Sequence, residues 1–365
     1  MTKHQEKKLL SINMHSFLRI LAPRIPEDVG KYFKDELNCS LHQPESKIEE
    51  TDILIDEIQS PLNLSVNDKH MRSIFGFWIT EYKGETSVVL DYHGTPDIII
   101  QFSKPLKIYY RNRSGLKKRL YAILNFCIRH MLAMKKCLLC HGAVIEYKGK
   151  GLLIAGHRGT GKTQLLLTLL RQGFNCLSDD KFILQNGYAY SMQNFVKFKN
   201  YHINTLSSIN APLPKQLKGR MLNSLRDKTR SIIINHVPRA FIPSANKIFN
   251  PTYTLPFNAF SPKSKSLDSI QLNKTMFLVN GNSFKIDEIE KNDFIKSWSL
   301  DYKMVNDNIA NLKEMITLYL PETDYNPSEI MNHNLKADAF LKVAIPADIN
   351  PAVACKEILK NFEPG

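Results

Sequence analysis

Cysteine is scarce in this chain, acidic residues are in deficit, and no apolar run is long. Six cysteines in 365 residues do not make the disulfide framework of a small secreted domain, so a reducing, cytoplasmic setting is expected. Nowhere does the sequence approach the roughly 18 apolar residues a membrane helix requires, so no integral span is expected. The opening stretch MTKHQEKKLLSINMHSFLRILA is basic and then amphipathic, but Ser11, Asn13, His15 and Ser16 break its apolar run and no small-residue cleavage site follows. A surface helix packed on the body is expected there rather than a secretory signal. Internal repeats are lacking too. What is present is ordinary globular chemistry, 43% hydrophobic and 23% charged, on a chain long enough for two domains.

The acidic deficit leaves a net charge of +14. Its basic residues concentrate at Lys104, Lys107, Arg111, Arg113, Lys117, Lys118 and Arg119, and again over 211–230, where Lys215, Lys218, Arg220, Arg226, Lys228 and Arg230 face the single acid Asp227. Such patches attract anionic partners or serve as solvated faces. Neither carries the aromatic interleaving of an RNA-binding surface or a zinc-finger spacing, so nucleic acid is disfavoured.

The chemistry is concentrated in Gly151-Leu-Leu-Ile-Ala-Gly156-His157-Arg158-Gly159-Thr160-Gly161-Lys162-Thr163. Gly156 to Thr163 fits G-x-x-x-x-G-K-[S/T]. In such a loop the glycines let successive backbone N–H groups turn inward on phosphate, the lysine neutralises the outer phosphates, and the threonine hydroxyl ligates Mg²⁺. The context agrees. Leu152 to Ala155 reads as a buried strand, and Gln164 to Arg171 as a helix whose N-terminus aims its dipole at the loop. A nucleoside-triphosphate site is the implied ligand site.

Around it, residues 1 to about 50 read as helical or irregular. Runs at 53–58, 73–82, 87–92, 97–103 and 107–110 read as strands of a small antiparallel sheet, and Leu116 to Leu132 as an amphipathic helix with a core-facing stripe. Cys140 to Tyr147 and the loop strand form a hairpin through Lys148-Gly149-Lys150. Gly173 then caps the loop helix. Phe174 to Ser178 is a strand presenting Asp179 and Asp180 at its C-terminal end, where ligands gather in helix-flanked sheets. Residues 211–265 read as loops over the site, 275–279 as a further strand, and 287–298, 307–320 and 352–361 as helices. The segment FLKVAIPADINPAVACKEIL reads as a strand, a turn and a closing helix, with no chemistry assigned to it.

The run His141 to Asp180 resembles the catalytic domain of HPr kinase/phosphorylase, a fold shared more distantly with phosphoenolpyruvate carboxykinases. The resemblance rests on His141-Gly142, the Gly156–Thr163 loop, Gly173 and Asp179-Asp180, with His141 lying 21 residues before Lys162 and Asp179 lying 17 after it. It implies an α/β fold with α+β elements: a P-loop kinase core of that type, with a small N-terminal antiparallel sheet. The expected division is 1–112, an accessory or recognition domain, and 113–365, the catalytic domain with a C-terminal helical extension. The resemblance further implies Asp179 as general base on a hydroxyl, His141 orienting or tuning it, Lys162 on the β/γ-phosphates, and Thr163 and Asp180 at the metal. Physical chemistry agrees, since an attacking hydroxyl must shed a proton and a second carboxylate helps hold the metal. Three departures point to a divergent relative with another substrate. The downstream glycine-rich signature is missing, Gln164 stands where Glu is usual, and the first 110 residues differ from the family's N-terminal domain.

The activity expected is therefore ATP-dependent, Mg²⁺-requiring phosphoryl transfer to a hydroxyl. The acceptor is Ser/Thr of a small protein or peptide, or a small-molecule alcohol, and GTP is an alternative donor. The competing reading is a nucleotide-gated binding module without transfer. Relatives often form homo-oligomers, but no interface is legible here. Cys137-x-x-Cys140-His141 spells a haem-attachment pattern, yet it lies at a helix-to-strand junction, and buried packing is expected of it. Zinc lacks a second ligand pair.

Overall fold

A computed structural model describes residues 10–23, 30, 33, 41–42, 51–58, 77–92, 95–111, 117–157, 159–199, 202, 252–261, 263–306, 325–346 and 349–360. Two compact units divide the chain: Met1–Leu138 with Lys303–Ile330, and Leu139–Tyr302 with Met331–Gly365.

In the first unit the amphipathic N-terminus forms a β-hairpin, correcting the expected surface helix. Strands β1 (Leu10–Met14) and β2 (Leu18–Ala22) pair antiparallel. The turn carries His15 at φ +50°. Ile12, Met14, Leu18 and Ile20 are buried while Asn13 is exposed. Ser11, Ile12 and Asn13 are weak helix formers, and sheet pairing satisfies their backbone while alternation buries their apolar members.

Strands β3 (Leu41–His42), β4 (Ile53–Glu57), β5 (Phe77–Tyr82), β6 (Glu85–Tyr92), β7 (Thr95–Gln101) and β8 (Leu106–Tyr110) complete an eight-stranded sheet in the order β3-β1-β2-β4-β8-β7-β6-β5. The strands from 53 onward match the sequence pattern. The sheet, however, is neither small nor purely antiparallel, because β2·β4 and β4·β8 are parallel pairs. Parallel neighbours come from chain segments too far apart for local patterning to reveal.

Helix α1 (Lys117–Met134) buries Leu120, Ile123, Leu124, Cys127, Ile128 and Leu132, the anticipated stripe. Just after it, Lys135 bonds Asp52 Oδ1 at 2.6 Å and the Phe17 carbonyl at 2.7 Å, while Asp52 Oδ2 accepts from the Arg19 N–H at 2.8 Å. These ties hold the end of the helix to the N-terminal sheet. The division at Leu138 instead of 112 follows, since composition changes before the helix but its partners lie upstream.

The second unit is built on β9 (Leu138–His141), β10 (Ala143–Tyr147), β11 (Lys150–Gly156), β12 (Asn175–Ser178), β13 (Lys181–Gln185), β14 (Tyr188–Ser191), β17 (Ser269–Asn280), β18 (Lys285–Glu288) and β19 (Ala339–Ile345). Strands β15 (Phe195–Lys199) and β16 (Thr252–Pro256) form a separate ribbon. The path runs β12-β10-β11-β17-β14-β13-β9, with β19 on β17 and β18 on β19. The β10–β11 hairpin is antiparallel as expected, and β17 is parallel to both β11 and β19. Residues 287–288, expected to begin a helix, instead end β18, which pairs with β19.

Helix α2 (Lys162–Arg171) closes with Gly173 N–H on the Leu170 carbonyl and Phe174 N–H on Leu169, the paired bonds of a Schellman end. Its Leu165, Leu166, Leu169 and Leu170 share a core with Ile145, Ile154, Met276, Val343 and the ribbon's Val196 and Phe198. Cys355 and Ile358 of α5 (Pro351–Lys360) join the same core. Elsewhere in the unit, α3 (Lys291–Asn306) sets Phe294 and Trp298 against Phe277 and Phe182. Helix α4 (Pro327–Asn334) was not legible in the pattern. The expected helix 307–320, the basic stretch 211–230 and most of the loops expected over 211–265 lie outside the described residues.

Candidate functional site

One sheet edge gathers the residues singled out from the sequence. Strands β11, β17 and β19 run parallel, and β12, antiparallel to β10, points the same way. The C-terminal ends of all four therefore meet at the edge where β10 begins. Asp179 and Asp180 follow β12, His141-Gly142 precedes β10, and the Gly156–Thr163 loop follows β11. Sequence-distant groups meet there because strand direction, not chain proximity, decides which ends coincide.

The loop geometry suits an anion. Gly156 has φ +147°, and a Cβ there would stand 2.7 Å from the Leu278 carbonyl oxygen, so β17 itself demands glycine. Gly159 and Gly161 both sit at φ +89°, and Gly161 begins α2 with no side-chain cap on the helix N-terminus. Thr160 Oγ1 donates to the His157 carbonyl at 2.8 Å, bracing the turn. Lys162 folds its ammonium over the loop, donating to the Gly156 carbonyl and to that of His157 at 3.0 Å. Thr163 lies on the first turn of α2, half-buried. Arg158 lies outside the described residues.

Adjacent aspartates carry unequal protons. Asp179 is 8% exposed and accepts the Lys197 N–H on Oδ2 at 3.0 Å. Burial, with the neighbouring Asp180 charge added, pushes its carboxyl up to about 7, against the pull of Lys197 N–H, His141 and Lys162. Burial also acts on Asp180, but the hydrogen bond and charge of His141, with Lys181 and Lys197, outweigh it and hold that carboxyl at about 2. The His141 Nε2 to Asp180 Oδ1 distance is 3.2 Å. At neutral pH the pair thus offers a permanently charged carboxylate beside one poised to exchange a proton, the split that divides ligand and base roles between two carboxyls.

The backbone fixes this arrangement. Gly142 N–H donates to the Asp180 carbonyl at 2.9 Å. A Cβ on Gly142 would stand 3.0 Å from Leu153 Cδ1 and 3.2 Å from the Ile154 carbonyl oxygen, so a larger residue there would press its neighbours aside. His141 ends the separate strand β9, next to the hairpin that was expected to carry it. Trp298 Nε1 donates to the His141 carbonyl at 3.1 Å. Neither Trp298 nor the Lys197 N–H carried any signal in the sequence, because one acts from a distant helix and the other through main chain alone. Cys137 and Cys140 are fully buried, in keeping with packing.

Beside the loop opens a cleft of about 380 Å³ lined by Gly159, Thr160, Gly161 and Gln164 on one side and Asn280, Ile345, Pro346, Ile349 and Ala354 on the other. Among the described residues no cluster of three or more His, Cys, Asp or Glu is placed to hold a metal, and no helix is long and apolar enough to cross a membrane.

No protein-family model and no curated protein matches the chain. Among solved structures it is similar to the Hpr(Ser) kinase/phosphatase from Coxiella burnetii, at 11% identity and a TM-score of 0.25, covering 61% of this chain and 95% of that one. So loose a superposition carries no functional argument, and the weight falls on the residues themselves.

Proposed function

We propose that the protein is a phosphotransferase that moves the γ-phosphoryl group of ATP to a hydroxyl acceptor, with Ser/Thr of a small protein or peptide as the acceptor class. The observation that carries this reading is the aspartate pair of opposite proton affinity, standing at the same sheet edge as the Lys162 loop.

Asp179 accepts the proton of the acceptor hydroxyl while that hydroxyl's oxygen bonds to the γ-phosphorus and the bond from that phosphorus to the bridging oxygen breaks, releasing ADP. A base that titrates near 7 is matched to this task, being about half ionised at neutral pH and basic enough to take the proton. Lys162 and the N–H groups of residues 157–162 hold the phosphates and offset their charge. His141 keeps Asp180 ionised and in place.

Mg²⁺ fits the donors present. The Thr163 hydroxyl and the ionised Asp180 carboxylate are hard oxygen ligands, and Mg²⁺ commonly takes one or two protein ligands and completes its shell with phosphate and water. When bound, it would neutralise phosphate charge. GTP in place of ATP, or a small-molecule alcohol in place of Ser/Thr, leaves these roles unchanged.

The test is γ-labelled ATP with Mg²⁺ and fractionated lysate, run beside Lys162→Ala and Asp179→Asn. Label should enter one peptide or protein fraction with the unmodified chain and with neither variant. If label stays on ATP while nucleotide-dependent capture of a partner persists, the protein is a nucleotide-gated binding module and the kinase reading is wrong.

A further inference from the structure

We propose that the cleft between the Gly159–Gln164 segment and Ile345, Pro346, Ile349 and Ala354 is a purine-base site, with the end of the C-terminal strand and the start of the C-terminal helix as its wall. The inference rests on the phosphate reading of the loop and adds the orientation of the nucleotide to it.

Three observations carry it. The cleft is continuous with the loop, since Gly159, Thr160 and Gly161 line one end, so a ligand with phosphates on the loop reaches the cleft directly. Among the described residues its lining carries no charged side chain. Leu165, Ile345, Pro346, Ile349 and Ala354 supply apolar walls, and Asn280 and Gln164 supply carboxamides. The apolar walls suit a flat neutral ring with hydrogen-bonding edges, and about 380 Å³ falls within the roughly 300–1,000 Å³ of small-molecule sites. Finally, neither Asp179, Asp180, His141 nor Lys162 lines it. The charged end and the apolar end of the site are distinct, and a nucleotide has those same two ends. Its terminal phosphate then lies toward the aspartates and its base away from them.

The topology explains why this wall is C-terminal. Strand β17 ends at Asn280 and β19 at Ile345, both parallel to β11, so their exits open at the edge where the loop stands. After the turn, Asn350 Oδ1 accepts the Ala352 N–H at 2.9 Å, starting α5, which packs beside α2 through Cys355 Sγ and Gln172 Oε1 at 3.6 Å. That packing sets Ile349 and Ala354 opposite Leu165.

Calorimetric titration of the full-length chain with Mg-ATP and with Mg-tripolyphosphate, which lacks a base, tests the assignment. The unmodified protein should bind ATP at least about tenfold more tightly. Ile349→Trp, at a half-buried position where a larger ring fills the cleft without opening the core, should bring ATP affinity to that of tripolyphosphate and leave tripolyphosphate unchanged. Asn280→Ala, at an exposed position, should alter the ratio of ATP to GTP affinity and likewise spare tripolyphosphate. Retained tripolyphosphate binding shows that each variant is folded. Equal affinity of the unmodified protein for ATP and tripolyphosphate, or an Ile349→Trp ratio within twofold of the unmodified one, would overturn the base site alone. Tripolyphosphate binding that is absent, or that survives Lys162→Ala undiminished, would overturn the phosphate reading and the base site with it.

Discussion

Asp179→Asn should make the protein more stable while it stops transfer, and the gain should depend on pH. The carboxyl moves from 3.8 in a solvated chain to about 7 in the fold, roughly three units at about 1.4 kcal/mol each, or about 4 kcal/mol in all. The sign follows from proton counts. Below about pH 3.8 the group is protonated in both states and costs nothing. Between 3.8 and 7 the folded state holds the proton that the unfolded chain has lost, so stability falls as pH rises. Above 7 the full penalty applies. Asparagine keeps an acceptor for the Lys197 N–H and cannot ionise, so its advantage should be near zero at pH 4 and reach about 2–4 kcal/mol at pH 8. Urea unfolding at several pH values measures it, followed by Trp298 fluorescence in a Trp78→Phe background so that the second unit alone is read. A gain equal at all pH values, or none at pH 8, would refute the buried, proton-holding carboxyl. The same ionisation should appear in kcat/KM as a fall of about tenfold per unit below pH 7.

Lys162→Ala should weaken ATP binding at least about tenfold, or about 1.4 kcal/mol, because a charge held over the loop is lost; calorimetry reads it. His141→Gln should let the Asp180 carboxyl rise from about 2. A depressed carboxyl contributes stability that is present above 3.8 and lost as pH falls through 2, so the variant should unfold at higher pH in an acid titration followed by circular dichroism. Trp298→Phe removes the donor to the His141 carbonyl and should cost about 1 kcal/mol in chemical denaturation, the net worth of one hydrogen bond.

The local features were legible. Gly156 to Thr163, Gly173 and the aspartates after a short strand are constraints that a few consecutive residues must satisfy, and the structure forms the corresponding turn, helix end and strand end. The N-terminal hairpin was misread because an amphipathic run of a few residues does not distinguish a 3.6-residue from a two-residue period when polar residues interrupt it. Sheet pairing across the chain then decided in favour of strand. The boundary near 112 marked a true change in pattern, but α1 belongs with the strands before it through Lys135, Asp52 and Phe17.

By itself the sequence determined the chemistry available: which residues can hold phosphate, donate a hydroxyl or carry a carboxylate, and which short elements present them. Tertiary structure alone decided their relations. Burial and the proximity of Asp180 and His141 set the two aspartates about five pH units apart, at about 7 and about 2, although they are adjacent and chemically identical in the chain. Parallel pairing of β17 with β11, and of β19 with β17, brought Asn280, Ile345, Ile349 and Ala354 to the loop. Desolvation and long-range strand pairing arise from contacts between residues far apart in the chain, and no local pattern encodes them.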